Sequence, residues 1–242
     1  MERALTARHR KKRWAPANLL TSVVLVLPLV IFYGVGVLFT ETANGADLIT
    51  RWLLMGIGRD GYLVVQGGLF VALLVLALYL KRKEQFDWGQ FLPVFLEAGI
   101  YALTMGTLIV FVMVDLLGID PRLATGPLAR AGVFERLVMS AGAGVHEELV
   151  FRLVMMGGIL RLGERGLGFR RWAALALAIA ISSVLFAAAH HVGPLGDPLR
   201  AGVFVYRALA GAAFALLFHF RGFALAVYTH TLYDVYVLLV RA

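Results

Sequence analysis

The chain has 242 residues, of which 60% are hydrophobic, and it carries a net charge of +8 and no cysteine. A soluble domain is nearer to half apolar, so this composition excludes an ordinary soluble enzyme and leaves a polytopic membrane protein. The absence of cysteine excludes disulfides and thiol chemistry. The basic excess is better explained by short loops that set membrane topology than by nucleic-acid binding, which we do not expect.

Seven apolar segments follow one another, each near the roughly 20 residues that a membrane-spanning helix needs. The N-terminus begins like a signal peptide, but its apolar block exceeds the usual core of about 7–15 residues, so we interpret it as an uncleaved span. The sequence predicts an all-α transmembrane bundle, with a basic tail and three accessory spans in residues 1–132 and the polar motifs in 133–242. The segments are 19–39, 61–80, 91–117, 137–160, 172–190, 201–218 and 223–240.

Loop charges predict the orientation. Arginine and lysine are about twice as frequent in the N-terminal tail and the even-numbered connections as in the others. Cytoplasmic loops carry this excess in membrane proteins. We therefore predict a multi-pass protein of the plasma (inner) membrane, with its N-terminus in the cytoplasm and its C-terminus outside.

The fourth span contains a polar run in which charged side chains lie where lipid is expected. Glu147 and Glu148 are adjacent, and Arg152 follows Glu148 by one helical turn. A single charge at the bilayer centre costs about 2.5–3.5 kcal/mol, so Glu148 and Arg152 are expected to pair. Glu147 points about 100° away from Glu148 and has no local partner, which favours a functional role. The run is not the zinc motif HExxH that His146 begins, because position 150 is Val150.

Two further polar pairs lie in later spans at helical spacing. Phe186 precedes His190 by four residues, and His230 precedes Asp234 by four. A carboxylate one turn from a histidine can hold the imidazole tautomer, or the two can bind one water or one metal ion. A buried pair that only stabilises the bundle is the alternative for each.

Two other charges, Glu97 in the third span and Arg207 in the sixth, also need partners. They can pair with each other, or Arg207 can neutralise Glu148. We interpret both as structural or supporting residues.

The three motifs together resemble those of a known family. EExxxR is present at Glu147, Glu148 and Arg152, FxxxH at Phe186 and His190, and HxxxN/D at His230 and Asp234. The ordered set resembles the CPBP family, which comprises CAAX proteases and bacteriocin-processing enzymes and is also called the Abi family. The resemblance covers roughly residues 137–240, and it implies an intramembrane protease whose catalytic core is a four-helix unit in the C-terminal half.

The resemblance also implies roles for the motif residues. Glu147 would activate the attacking water, helped by His190. His230 and Asp234 would stabilise the tetrahedral oxyanion or complete the site. The prenyl-protein enzymes have asparagine where this chain has Asp234, and an ionised carboxylate cannot donate a hydrogen bond, so this residue would instead orient His230 or bind a metal ion. The supporting residues would be Glu148, Arg152 and Phe186.

Cofactor and function stay open at this stage. A glutamate base needs no cofactor, whereas a Zn²⁺ site would use His190, His230 and Glu147 as ligands. The expected surroundings are membrane lipid, and the expected substrate is a membrane-anchored or exported protein or peptide cut near one end. The alternative is a non-catalytic protein, either a proton-coupled transporter or an immunity or scaffold member of the family. The absence of a visible internal repeat argues against the transporter.

Overall fold

The computed structural model describes residues 16–40, 54–120, 131–192 and 198–240. Within these ranges the chain is helical and contains no strand, which confirms the predicted all-α bundle. The α-helices of the described residues are α1 Leu19–Gly36, α2 Gly58–Lys81, α3 Phe91–Phe111, α4 Val133–Gly142, α5 Gly157–Arg161, α6 Arg171–Ala189, α7 Ala201–Arg221 and α8 Phe223–Val240.

The backbone between α4 and α5 stays helical but widens into π-helical turns. These turns span Ala143–Glu147 and Leu149–Met156, and another follows α5 at Leu162–Gly166. We call the whole run, residues 133–166, the motif helix because it carries the EExxxR residues. π-helical turns are rare in proteins, and those that exist are often found at functional sites. Here two of them contain or flank the EExxxR residues.

Six helices in the described part of the chain are long and apolar enough to cross a membrane. They correspond to the predicted spans except the fourth, 137–160. That segment lies within the motif helix, whose π-helical turns and buried charges distinguish it from an ordinary apolar span. The chain is therefore a multi-pass membrane protein.

Hydrogen bonds between helix termini identify the two ends of the bundle. Asn18 Nδ2, just before α1, donates to the Gln85 carbonyl after α2 at 2.9 Å. Arg136 Nη1, near the start of α4, donates to the Leu238 carbonyl near the end of α8 at 2.6 Å. We call these the Asn18 end and the Arg136 end. The start of α1 and the end of α2 lie at the Asn18 end, and the start of α4 and the end of α8 lie at the Arg136 end.

The motif helix, α6, α7 and α8 pack against one another and form the centre of the bundle, with α3 against α8 and α1 against α4. Glycines permit the closest approaches. A Cβ at Gly144 would lie 2.8 Å from the Val227 carbonyl oxygen, and one at Gly211 would lie 3.1 Å from Ser183 Cα. Small residues at such crossings let membrane helices come into backbone contact. In contrast, only 6% of the most apolar stretch of α2 is buried inside the bundle.

An ionic clasp holds α3 to the end of α7. Arg221 donates from Nε and Nη2 to the two carboxylate oxygens of Glu97, at 2.8 and 2.6 Å. The Tyr101 hydroxyl donates to the same carboxylate at 3.1 Å. The pairing of Glu97 with Arg207 that the sequence allowed is therefore wrong, because Arg221 at the Asn18 end provides the cation.

Candidate active site

Three separate helical elements bring the motif residues together inside the bundle. The motif helix supplies the two glutamates and the arginine, the end of α6 supplies the FxxxH pair, and the middle of α8 supplies the HxxxD pair. Burial is nearly complete at the centre, where Glu148 and Arg152 are 0% exposed, His230 is 4% exposed and Glu147 is 6% exposed. Charged groups survive such burial only when they are paired or hydrogen-bonded, so the contacts among them matter.

Glu147 lies where two imidazoles converge. Its Oε2 is 3.5 Å from His190 Nε2 and 3.9 Å from His230 Nε2. The Asp234 Oδ2 atom is 3.7 Å from the same nitrogen of His230. These separations exceed the 2.7–3.2 Å of a direct hydrogen bond, so the side chains face one another across a small gap.

The position of His190 follows from the way in which α6 ends. The amide of His190 donates to the Ala187 carbonyl at 3.2 Å, one residue short of the α-helical partner. The Phe186 carbonyl, which that amide would otherwise have bound, accepts instead from His190 Nδ1 at 2.8 Å. A carbonyl oxygen can only accept, so Nδ1 carries a proton, and Nε2 is the ring nitrogen that faces Glu147. The FxxxH spacing is thus the spacing of a helix-terminating hydrogen bond.

Glu148, rather than Asp234, holds the tautomer of His230. Nδ1 of His230 donates to Glu148 Oε1 at 2.8 Å across 82 residues of sequence. The tautomer-holding role that local spacing allowed for Asp234 is therefore taken by Glu148, and Asp234 lies beside the opposite ring nitrogen. Spacing within one helix cannot reveal this contact, because it depends on how α8 packs on the motif helix.

Arg152 completes the supporting chain behind His230. Its Nε is 3.2 Å from Glu148 Oε2, so the pair expected from the spacing is present, although the contact is an ion pair without hydrogen-bond geometry. The guanidinium carbon lies 4.7 Å from the centre of the Phe186 ring and 5.9 Å from that of Phe214. Aromatic faces stabilise cations at these distances, which helps to offset the cost of burying the charge.

Aromatic rings pack against both imidazoles. The Phe186 ring centre is 4.7 Å from that of His190 and 5.9 Å from that of His230. The Phe214 ring, on α7, is stacked on His230 with centres 4.3 Å apart and planes 17° apart. Sequence reasoning missed Phe214, since it belongs to no motif and is one of 16 phenylalanines.

The site is least buried toward the Arg136 end. The side chains of Asp234 and His190 are 25% and 18% exposed, compared with 5% for His230. His190 follows the last residue of α6, and Asp234 lies about 9 Å below the end of α8 at 1.5 Å per residue. Arg207 on α7 interacts electrostatically with Glu147 and Asp234. Asp234, His190 and Arg207 thus lie on the side of the cluster nearest the Arg136 end.

The ligands predicted for a metal ion lie in this same cluster. Among the described residues, no group of three histidine, cysteine, aspartate or glutamate side chains is arranged to hold a metal ion. The ligand set of His190, His230 and Glu147 stays a prediction.

Comparison with known proteins identifies the region that contains this site. Residues 129–236 match the family model of the type II CAAX prenyl endopeptidase Rce1-like proteins. Searches of curated proteins and of solved structures each found no match. The match spans all three motifs, and it supports a CAAX-type intramembrane endopeptidase in general. The resemblance that the motifs indicated is confirmed: residues 129–236 of this membrane protein are similar to the Rce1-like family, which is consistent with a CAAX/CPBP intramembrane protease.

Proposed function

We propose that this chain hydrolyses a peptide bond near one end of a membrane-anchored or exported protein or peptide, using a water molecule that Glu147 activates. The observation that carries the proposal is the convergence of one buried carboxylate oxygen and two imidazole nitrogens within 3.5 and 3.9 Å. Peptide hydrolysis needs a base for water, a group that stabilises the oxyanion and an acid for the leaving amine. The cluster contains a side chain for each.

The attacking water would lie between Glu147 and His190. It can donate one hydrogen to the Glu147 carboxylate and the other to His190 Nε2, which is free to accept because Nδ1 donates to Phe186. With both hydrogens bound to acceptors, a lone pair of the water oxygen is left to attack the peptide carbonyl. The proton passes to Glu147, which later returns it to the leaving amine as the carbon–nitrogen bond breaks.

His230 is the group best placed to stabilise the oxyanion. Glu148 accepts from Nδ1, and Glu147 and Asp234 lie near Nε2. Surrounded by carboxylates, the ring can carry a proton on both nitrogens, and Nε2–H then donates to the oxygen that becomes negative. Asp234 would orient that N–H, a role that an acceptor-only carboxylate can perform.

The central experiment uses purified protein in detergent with a panel of membrane-anchored peptides, some of them prenylated at a C-terminal cysteine. We expect wild-type cleavage, and loss of it in Glu147→Ala, His190→Ala and His230→Ala. The matched control is Glu164→Ala, since Glu164 contacts Arg171 far from the site. Unchanged cleavage in all three site variants would contradict the mechanism. A wild-type protein that cleaves no member of the panel would favour the transporter or scaffold alternative.

Asp234 separates two versions of the mechanism. If the carboxylate only orients His230, Asp234→Asn keeps an acceptor oxygen and should retain most of the activity, whereas Asp234→Ala should lose it. Asparagine is also the residue that the prenyl-protein enzymes have at this place in the motif. An Asp234→Asn variant as inactive as Asp234→Ala would mean that the negative charge itself is required.

Metal dependence is tested on the same preparation. With Glu147 as base, cleavage should persist after treatment with a chelator, and elemental analysis should find well under one zinc per chain. Stoichiometric zinc together with inhibition by the chelator would overturn this mechanism in favour of a zinc-assisted one.

The proposed orientation places the Arg136 end of the site toward the outer half of the membrane, with the N-terminus in the cytoplasm. Accessibility tags fused to each terminus of the full chain test this arrangement. A protected N-terminal tag and an externally accessible C-terminal tag are expected in intact cells, and a cytoplasmic C-terminal tag would reverse the side from which the substrate enters.

A further inference from the structure

We propose that Phe214, a residue outside all three motifs, is a positioning residue that sets the plane of the His230 ring. The inference deepens the proposed function and rests on it, because it assigns to α7 a role in aiming the nitrogen that stabilises the oxyanion. It is carried by the stacked geometry of the two rings, with centres 4.3 Å apart and planes 17° apart.

One hydrogen bond cannot fix an imidazole by itself. The bond from His230 Nδ1 to Glu148 Oε1 holds one edge of the ring, but the ring can still tilt about the line joining those two atoms. A flat surface against the ring face opposes that tilt. The Phe214 ring supplies such a surface, so the hydrogen bond and the stack together determine where Nε2 points. That atom is the one that faces Glu147 and Asp234.

Phe214 is itself held firmly. It is 1% exposed and belongs to a buried cluster with Phe186 and Tyr206. Its ring meets the Phe186 and Tyr233 rings edge-on, at 6.4 and 6.5 Å between centres. Side chains in a close-packed interior have little freedom to reorient, so Phe214 can transmit the position of α7 to His230.

The same ring also lies near both partners of Glu148. Arg152 is 5.9 Å from the Phe214 ring centre, and His230 is stacked on that ring. Aromatic rings attract cations placed over their faces. The stack is therefore favourable whether His230 is neutral or carries the second proton that oxyanion stabilisation requires, which leucine, without an aromatic face, would not reproduce.

The test compares Phe214→Leu, which removes the flat face, with Phe214→Tyr, which keeps it. The matched control is Phe218→Leu, one turn further along α7, where the ring packs on a different cluster around Met156. Two readouts are needed so that failure of this inference can be told apart from failure of the proposed protease activity.

The first readout is independent of activity. In protein labelled at histidine and studied by NMR in detergent, the His230 ring signals are assigned by their loss in His230→Ala. Because His230 lies over the face of Phe214, these signals should be shifted upfield by the ring current, and Phe214→Leu should abolish that shift. Phe214→Tyr and Phe218→Leu should preserve it. An unchanged His230 spectrum in Phe214→Leu would overturn the inference, even if the wild type cleaved no peptide.

The second readout is cleavage. Loss of the aromatic stacking energy corresponds to a decrease in kcat of about 3- to 10-fold in Phe214→Leu, with KM unchanged. The kcat should recover in Phe214→Tyr and should not change in Phe218→Leu. In a His230→Ala background with measurable residual activity, Phe214→Leu should cause no further decrease, since its effect passes through His230. Equal effects in both backgrounds would show that Phe214 only fills space.

Discussion

Two glutamate–arginine pairs lie within the helices of this bundle, and they are built differently. In the clasp of Glu97 with Arg221, both carboxylate oxygens accept hydrogen bonds at 2.6 and 2.8 Å, and the side chains are 12% and 15% exposed. In the site, Glu148 and Arg152 are completely buried, joined by one 3.2 Å contact, and Glu148 divides its oxygens between Arg152 and His230.

The difference separates a pair that holds helices together from a pair that, in the proposed mechanism, supports His230. The two partners of the clasp use most of their capacity on each other, which is how charges in membrane proteins usually become tolerable. In the site, Arg152 Nη1 and Nη2 have no hydrogen-bond partner within the described residues. Buried polar groups rarely lack a hydrogen-bond partner. The free-energy cost of leaving these two nitrogens without one is consistent with a cluster arranged for a reaction rather than for stability.

The largest expected effect comes from replacing Glu147, the glutamate at the centre of the site. Glu147→Gln removes the base but keeps the shape of the side chain, and we expect the cleavage rate to fall by about 10²- to 10⁴-fold. The thermal unfolding midpoint in detergent should change much less than the rate, because glutamine keeps the size of the side chain and one of its two oxygens. A variant that cleaves normally would remove Glu147 from the mechanism.

Arg152→Met tests the supporting pair. It leaves Glu148 buried with one partner fewer, and loss of one member of a buried pair costs about 3–5 kcal/mol. We expect both a lower unfolding midpoint and weaker cleavage, measured by thermal unfolding in detergent and by peptide assay at a temperature where the variant is folded. Wild-type stability would show that the rings of Phe186 and Phe214, rather than Glu148, account for the tolerance of this cation.

Glu97→Gln applies the glutamate substitution to the clasp. Hydrogen bonds to charged groups contribute about 1.5–3 kcal/mol when buried, and partial exposure reduces this value, so we expect a loss of about 1–2 kcal/mol. The kcat of cleavage should stay at the wild-type level, because the clasp lies at the Asn18 end. A large decrease in kcat with unchanged stability would mean that the two clusters are coupled.

Glycine substitutions test the packing, and the smallest effect of all is expected at Gly67. A Cβ at Gly144 would press on the Thr231 side chain and the Val227 carbonyl, and such overpacking costs about 1–3 kcal/mol. Gly67 on α2 has open space around its Cβ position, so Gly67→Ala should be neutral or stabilising by up to about 1 kcal/mol. Unfolding of the two variants under identical detergent conditions measures the contrast, and equal midpoints would contradict the close packing of the motif helix on α8.

The sequence predicted what depends on local spacing. Apolar segment length predicted the spans, and the four-residue separations predicted the Glu148–Arg152 pair and the helical motifs. The contacts that the sequence missed all join distant segments. His230 binds Glu148, Phe214 stacks on His230, and Glu97 pairs with a cation at the far end of α7.

Those contacts depend on helix packing, and a single sequence carries little information about it. The apolar faces of membrane helices are all lipid-compatible, so hydrophobic patterning does not reveal which helix is the neighbour. The division into residues 1–132 and 133–242, the roles of the site residues and the metal requirement stay predictions.

The hydrogen bond from His190 to its own helix makes the orientation of this imidazole independent of the connection that follows. The ring is fixed by the Phe186 carbonyl, four residues earlier in α6, and does not depend on the chain beyond it for its orientation. The length of the α6–α7 connection can therefore change, by evolution or by engineering, without displacing the imidazole.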